Sequence, residues 1–361
     1  MAYTAPGTAV AGEVLTAAYW NEQVRDNMTA VAGPPFARNI LYNGAMQVAQ
    51  RSSSVASITT AGYYTADRWS TGVNSLGTWT QSVENDAPTG SGLRKSLKML
   101  CTTADASPAA SDYLAVSQLI EGYDVQRIAK GTSSAQQLTL SFWVKSNVTG
   151  TYIAELVDND NSRGVSKSYT VSASGTWEKK EIVFPADTTG AFDNDNAASL
   201  TLNLWLGAGT TFTSGTLQTT WASLISANRI VGQTNLAAAT NNYWQVTGVQ
   251  LETGSVATGF EFLPFGDELR RCQRYYYKRT DEMLGYTYSI SNIYQSLQRH
   301  PTTMRAIPML DGTASFRAVS GSNGTVTVYE IDEGGIWVYN GSANWSTNVV
   351  IYGTYALTAE L

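Results

Sequence analysis

Apolar and polar residues alternate with a two-residue period in several stretches of this chain. In "LTLSFWVKS", Leu138, Leu140, Phe142 and Val144 fall on one face, and Thr139, Ser141, Trp143 and Lys145 on the other. "LTLNLWLG" repeats the pattern: Leu200, Leu202, Leu204 and Leu206 face one way, Thr201, Asn203 and Trp205 the other. Successive side chains of a strand point to opposite sides, so this period predicts strands with one face on a core. Clusters of Gly, Asn, Asp and Ser separate such runs at the intervals of a sandwich. No helix-length crossovers intervene, which argues against a parallel sheet. The chain is thus predicted to be mainly β, with residues 37–265 forming an antiparallel β-sandwich or jelly roll.

The rhythm changes at both ends. In "AAYWNEQVRDNMTAVAGPP", Trp20, Val24, Met28 and Val31 recur at helical spacing on one face, Thr16 is placed to cap the start, and Gly33-Pro34-Pro35 stops the run. A helix of about sixteen residues is marginal alone, so its stripe needs a partner. That partner is either its own body or sister chains and a larger assembly. A position at the extreme N-terminus, behind a Gly-Pro-Pro break, favours the second. Residues 1–36 are therefore expected to act as an anchor. After residue 265, "DELRRCQ" predicts a short helix ahead of a strand through Tyr275, Tyr276 and Tyr277. "ASFRAV", "GTVTVYEI", "GIWVYNG" and "NVVIYGTY" predict further short strands, giving a smaller β-unit over residues 266–361.

Composition narrows the function classes. Of 361 residues only 14% are charged, while 43% are apolar and the net charge is −6. Phosphate-based nucleic-acid binding needs basic patches, and "LRKSLKM" reads as a solvated strand or loop instead. No run is long and apolar enough to span a membrane. "MAYTAPGTAVAG" has no basic region before an apolar run, so no secretory signal is expected. Cys101 and Cys272, far apart, suggest free thiols in a reducing cytosol rather than a disulfide framework or zinc site.

Several blocks together resemble a known group. "MAYTAPGTAVAGEVLTAAYWNEQVRDNMTAV" is similar to the N-terminus of tail-associated structural proteins of tailed bacteriophages. "RNILYNGAMQVAQR", "GYYTADRWS", "LSFWVKS", "YWQVTGVQLETGSVATGFEFLPFGDELRRCQRYYYK" and "TTMRAIP" resemble recurring blocks of phage tail-fibre and receptor-binding proteins, in the same order. The central part is similar, at the level of fold, to the jelly-roll carbohydrate-binding modules of families 4 and 9. The resemblance implies a homotrimer in the virion, made in the host cytoplasm, with its N-terminus on other virion proteins of the tail, baseplate or capsid. The group also includes head fibres and capsid-decorating proteins. The sugar modules often end their last sandwich strand with an acidic pair that helps hold calcium. Thr247 and Gly248 stand there in this chain, so no metal is expected.

If "QRYYYK" is a strand, Tyr275 and Tyr277 lie on one face and Tyr276 on the other. Aromatic surface on both faces suits a strand held between layers, domains or subunits. Catalysis has little to work with. His300 is the sole histidine, and GxSxG, HExxH and P-loop patterns are absent. Asp158/Asp160 and Asp193/Asp195 pair carboxylates inside Asn-rich turns, where turn chemistry explains them. "DNDNSRG" begins like a calcium loop, but Arg163 and Tyr169 occupy the EF-hand's Gly and Glu positions. Neither an enzyme nor a cofactor is expected. Trp69 and Trp244 read as core. Trp143 and Trp205, on the polar faces of their strands, are the candidate glycan contacts, with Asn203 and Lys145 placed to take hydroxyls. If the two strands share a sheet they can form a platform; the alternative is that a loop, an adjoining domain or a neighbouring subunit covers that face.

The function expected from the sequence is a trimeric virion fibre or spike that binds host surface glycans. The alternative is a head fibre or capsid decoration protein with an architectural role.

Overall fold

The computed structural model describes residue 14 and residues 16–20, 38–285, 294–312, 315–318, 326–340 and 349–361. Two compact units emerge, Met1–Phe262 and Leu263–Leu361.

Among the described residues the first unit holds thirteen strands: β1 Ser54–Ile58, β2 Gly62–Tyr63, β3 Ser70–Asn74, β4 Thr78–Glu84, β5 Ser96–Thr103, β6 Tyr113–Glu121, β7 Leu138–Ser146, β8 Gly150–Asp158, β9 Arg163–Val171, β10 Glu178–Phe184, β11 Ala198–Ala208, β12 Ala222–Ser223 and β13 Tyr243–Thr253. They build one sheet in the order β1-β4-β5-β13-β7-β10 and a second in the order β12-β9-β8-β11-β6-β3-β2. Every ladder among them is antiparallel. This is the sandwich that the alternation predicts. Leu138, Leu140, Phe142 and Val144 of β7 and Leu200, Leu202, Leu204 and Leu206 of β11 enter one shared core with Trp69, Trp79 and Trp244. Phe142 meets Tyr169 of the facing sheet edge-on at 5.0 Å. Each such large side chain contributes about 1.5–3 kcal/mol by leaving water.

The residues just before β1 seal the core with polar bonds. Asn39 donates from Nδ2 to the Val249 carbonyl and accepts at Oδ1 from the Leu251 amide; the Ile40 amide donates to the Leu251 carbonyl, and the Val249 amide to that of Gly44. A Cβ on Gly44 would lie 2.1 Å from the Val249 carbonyl oxygen, so only glycine permits this approach. Asn43 donates to the Val48 and Asp67 carbonyls and accepts the Val48 amide, while its own carbonyl accepts the Trp69 indole N–H. "RNILYNG" and "ADRWS" are thus one buried polar junction. Gln250 and Glu252 play the same part at the far end of β13. Glu252 accepts the Thr258 amide and hydroxyl, and Gln250 accepts the Glu261 amide.

In the second unit a helix, Phe265–Gln273, precedes β14 Tyr276–Gly285. β15 Tyr294–Arg299, β16 Met309–Leu310, β17 Ser315–Ala318, β18 Val326–Ile331, β19 Gly335–Asn340 and β20 Val349–Thr358 follow. β14 and β16 flank β20, which also pairs with β17; β19 lies between β15 and β18. Arg305, from "TTMRAIP", ties the unit together: its amide donates to the Arg274 carbonyl and its Nε to that of Ala359.

At the N-terminus, Ala17–Trp20 forms one helical turn. The Tyr19 amide donates to the Thr16 hydroxyl, the bond of an N-cap. Trp20 is 56% exposed. Val24, Met28 and Val31 lie outside the described residues.

Candidate functional site

The two-tryptophan platform does not form. Trp143 sits on β7 and Trp205 on β11, strands of opposite sheets, so their outward faces look away from each other. Trp143 is half-buried beside Lys145, which hydrogen-bonds Asp86 at 2.6 Å. Trp177 donates its indole N–H to the same carboxylate. Burial pushes the Asp86 carboxyl up, but the bonds from Lys145, Trp177 and Gln245 outweigh it and hold the pKa below its usual value. Lys145 is thus engaged in pinning the Asp86 loop.

Trp205 is only 3% exposed. Residues 209–230 fold over the outer face of β11 and bury its ring with Ala115, Ile153 and Ile230. The two legs of this loop are joined by the Ile230 amide donating to the Phe212 carbonyl. Trp205 was placed by alternation on a polar face; the loop converts that face into a second, smaller core. Tyr113 packs against Trp205 at 5.9 Å and against Phe212 at 5.6 Å, both edge-on. The Arg229 guanidinium lies 5.0 Å from the Trp205 centroid and 6.0 Å from that of Phe212.

Glu155 organises this cluster. Its side chain is 1% exposed, and it accepts from Arg229 Nε and Nη2 (2.7 Å each), Trp205 Nε1 (2.9 Å) and Asn203 Nδ2 (3.0 Å). Four donors on one carboxylate satisfy the buried charge. Asn203 Oδ1 in turn accepts the Ser117 hydroxyl at 2.6 Å.

A cavity of about 320 Å³ opens beside the cluster, lined by Gly72 of β3, Tyr113, Ala115 and Ser117 of β6, Asn203 and Trp205 of β11, and Phe212 and Arg229 of the loop. It combines aromatic walls with a few convergent polar groups, the usual make-up of a small-molecule site. Of the predicted glycan contacts, Trp205 and Asn203 line it; Trp143 and Lys145 do not. The sequence reading missed Tyr113, Phe212, Arg229 and Glu155. Only Glu155 carried a signal, a lone acid inside the apolar run "YIAELV".

The carboxylate pairs serve the scaffold. Asp158 is fully buried and bonded to the Lys130 ammonium at 2.5 Å. Lys130 also donates to the Thr189 and Gly190 carbonyls at 2.8 and 2.7 Å and meets Asp187 at 3.1 Å. The rings of Phe192 and Trp221 lie 5.2 and 5.3 Å from that ammonium. A lysine therefore fills an oxygen-lined cage at the start of "DNDNSRG". Asp160 accepts the Asp193 amide and so ties two separate loops together, while Asp195 accepts the Ala197 amide within its own turn. Among the described residues no group of acidic, His or Cys side chains is arranged to hold a metal.

Tyr275, Tyr276 and Tyr277 are all buried, but the strand begins only at Tyr276, so alternation does not govern the three. Tyr277 packs against Tyr355 and His300 inside the C-terminal unit. A single chain covers these rings, so they require no sister subunit. Burial lowers the His300 pKa, and its Nδ1 lies 3.3 Å from the Glu333 carbonyl.

No protein-family model and no curated protein matches the chain. Among solved structures, the enzymatically active domain of a bacteriophage CBA120 tailspike protein is 14% identical at a TM-score of 0.31, over 60% of this chain and 21% of the other. A family 61 carbohydrate-binding module, solved with β-1,4-galactotriose, is 11% identical at a TM-score of 0.31, over 60% of this chain and 99% of the module. A family 4 module is 12% identical at a TM-score of 0.26, over 48% of this chain and 77% of the other. At these values the likeness carries no functional argument.

Proposed function

We propose that this chain is a glycan-binding structural protein of a tailed-bacteriophage virion, trimeric and without catalytic activity. The observation that carries the binding role is the cavity over β3, β6 and β11, with Tyr113 and Phe212 at its walls and Asn203, Ser117 and Arg229 converging on it. Sugars present apolar C–H faces to rings and hydroxyls to fixed polar groups, and this lining offers both. Glu155, the acid beside the cavity, accepts one donor at Oε1 and three at Oε2, and its part in this reading is to hold Arg229, Trp205 and Asn203 in place. The virion assignment rests on the sequence blocks and their order; the trimer and the N-terminal attachment follow from that resemblance.

The test is Gly72→Val. Gly72 lies in β3 between the inward Thr71 and Val73, and a Cβ there would sit 3.4 Å from the Tyr113 ring, at the cavity wall. Valine suits a strand, so the fold should hold while the cavity fills. Binding to host envelope glycans is expected to fall at least about tenfold, a loss near 1.4 kcal/mol. Unchanged adsorption by a folded variant refutes the cavity as the receptor site. Light scattering of the parent should return three times the mass of one chain.

A further inference from the structure

Resting on that glycan-binding reading, we infer that the cavity takes a single sugar unit bearing an N-acetyl group. The size argues for one unit. About 320 Å³ is the small end of the range for ligand pockets, and the lining spans only β3, β6, β11 and one loop.

The hydrogen-bond inventory argues for the acetamido group. Arg229 has five N–H groups and spends two on Glu155, leaving three. Asn203 spends one amide N–H on Glu155 and keeps one. The single Ser117 hydroxyl proton goes to Asn203, so Ser117 meets a ligand as an acceptor. The cavity thus offers an excess of donors, one dedicated acceptor and an apolar wall of Ala115, Trp205 and Phe212. An acetamido group supplies a carbonyl for the donors, an N–H for Ser117 and a methyl for the wall. A plain hydroxyl can accept from the guanidinium, but it brings no methyl to the wall and no carbonyl to take the remaining donors. A carboxylate leaves Ser117 unmatched, and Glu155 already neutralises Arg229, so the site holds no surplus positive charge to reward an anion.

The probes are methyl glycosides of N-acetylglucosamine, N-acetylgalactosamine, glucose, galactose, glucuronate and galacturonate, titrated against the full chain with saturation-transfer NMR. At least one acetamido glycoside should bind about tenfold or more tightly than its hydroxyl and carboxylate counterparts, because unmet buried donors reject the analogues. Its acetyl methyl should receive the strongest saturation, and Gly72→Val should abolish the signal. Equal or tighter binding of a hydroxyl or carboxylate sugar overturns the inference and leaves glycan binding intact. So does binding of longer envelope glycans with none of the six. If no glycan binds in either format, the inference falls together with the proposed function.

Discussion

Replacing Lys130 by methionine isolates the contribution of one buried charge. The lysine side chain is 2% exposed, and its ammonium faces Asp158 at 2.5 Å, Asp187 at 3.1 Å and two carbonyls. Methionine keeps most of the volume and still meets the Phe192 and Trp221 rings through its sulfur, so packing is largely preserved. What is lost is the counter-charge. Asp187 keeps both bonds from Arg163, but Asp158 keeps only the amide and side-chain donors of Asn161. Breaking a buried pair by removing one partner costs about 3–5 kcal/mol. For a sandwich of this size that lowers the melting temperature by roughly 6–20 °C. Denaturant unfolding at neutral pH measures the loss, and repeating it in acid tests the cause. Burial raises the Asp187 pKa, but bonds from Arg163, the Thr189 amide and Lys130 outweigh it and hold it below its usual value. Stability from such a group is present above the ordinary carboxylate pKa and is lost as pH falls through the lowered one. The gap between parent and variant should therefore narrow in acid. A loss under about 1 kcal/mol at neutral pH, the scale of an exposed ion pair, would refute the reasoning.

Trp205→Ala should cost about 3–5 kcal/mol in chemical unfolding, as for other aromatic core truncations, and a near-zero cost would show that the loop does not hold the ring. In the C-terminal unit, burial and the neighbouring Tyr277 push the Tyr355 pKa up to about 12. Its neutral form is favoured by folding, so that contribution is intact below the ordinary tyrosine value and is lost as pH rises from there through about 12. Tyrosinate absorbance should rise together with unfolding of this unit; ionisation of every tyrosine before unfolding would contradict this. Deleting residues 1–35 should leave the sandwich melting unchanged and abolish incorporation into particles. Normal incorporation would move the attachment point elsewhere.

The sandwich was legible because its two longest apolar alternations, in β7 and β11, report a local property, the direction of successive side chains. The candidate site was only half legible, because it depends on what covers a face. Trp205 and Asn203 have the same alternation as Trp143 and Lys145, yet one pair lies under a loop and the other beside a half-open surface. Nothing local in "TSGTLQTTWASLISANR" announces that Arg229 returns to Glu155, 74 residues away. The tyrosine run misled for a related reason. A helix ending at Gln273 displaces the strand start to Tyr276, and the tail returns to cover the rings.

The junction between Asn39–Gly44 and Val249–Leu251 gives the sandwich an unusual mechanical position. Residues 39–44 bond directly to the last strand of this unit, about two hundred residues later. Tension applied along the chain from residue 38 to residue 253 meets this short clasp first. While the clasp holds, the force crosses a few hydrogen bonds and the remaining strands hang beside the load path, unstretched. Force along the chain would thus bypass the cavity over β3, β6 and β11, which lies in the other sheet.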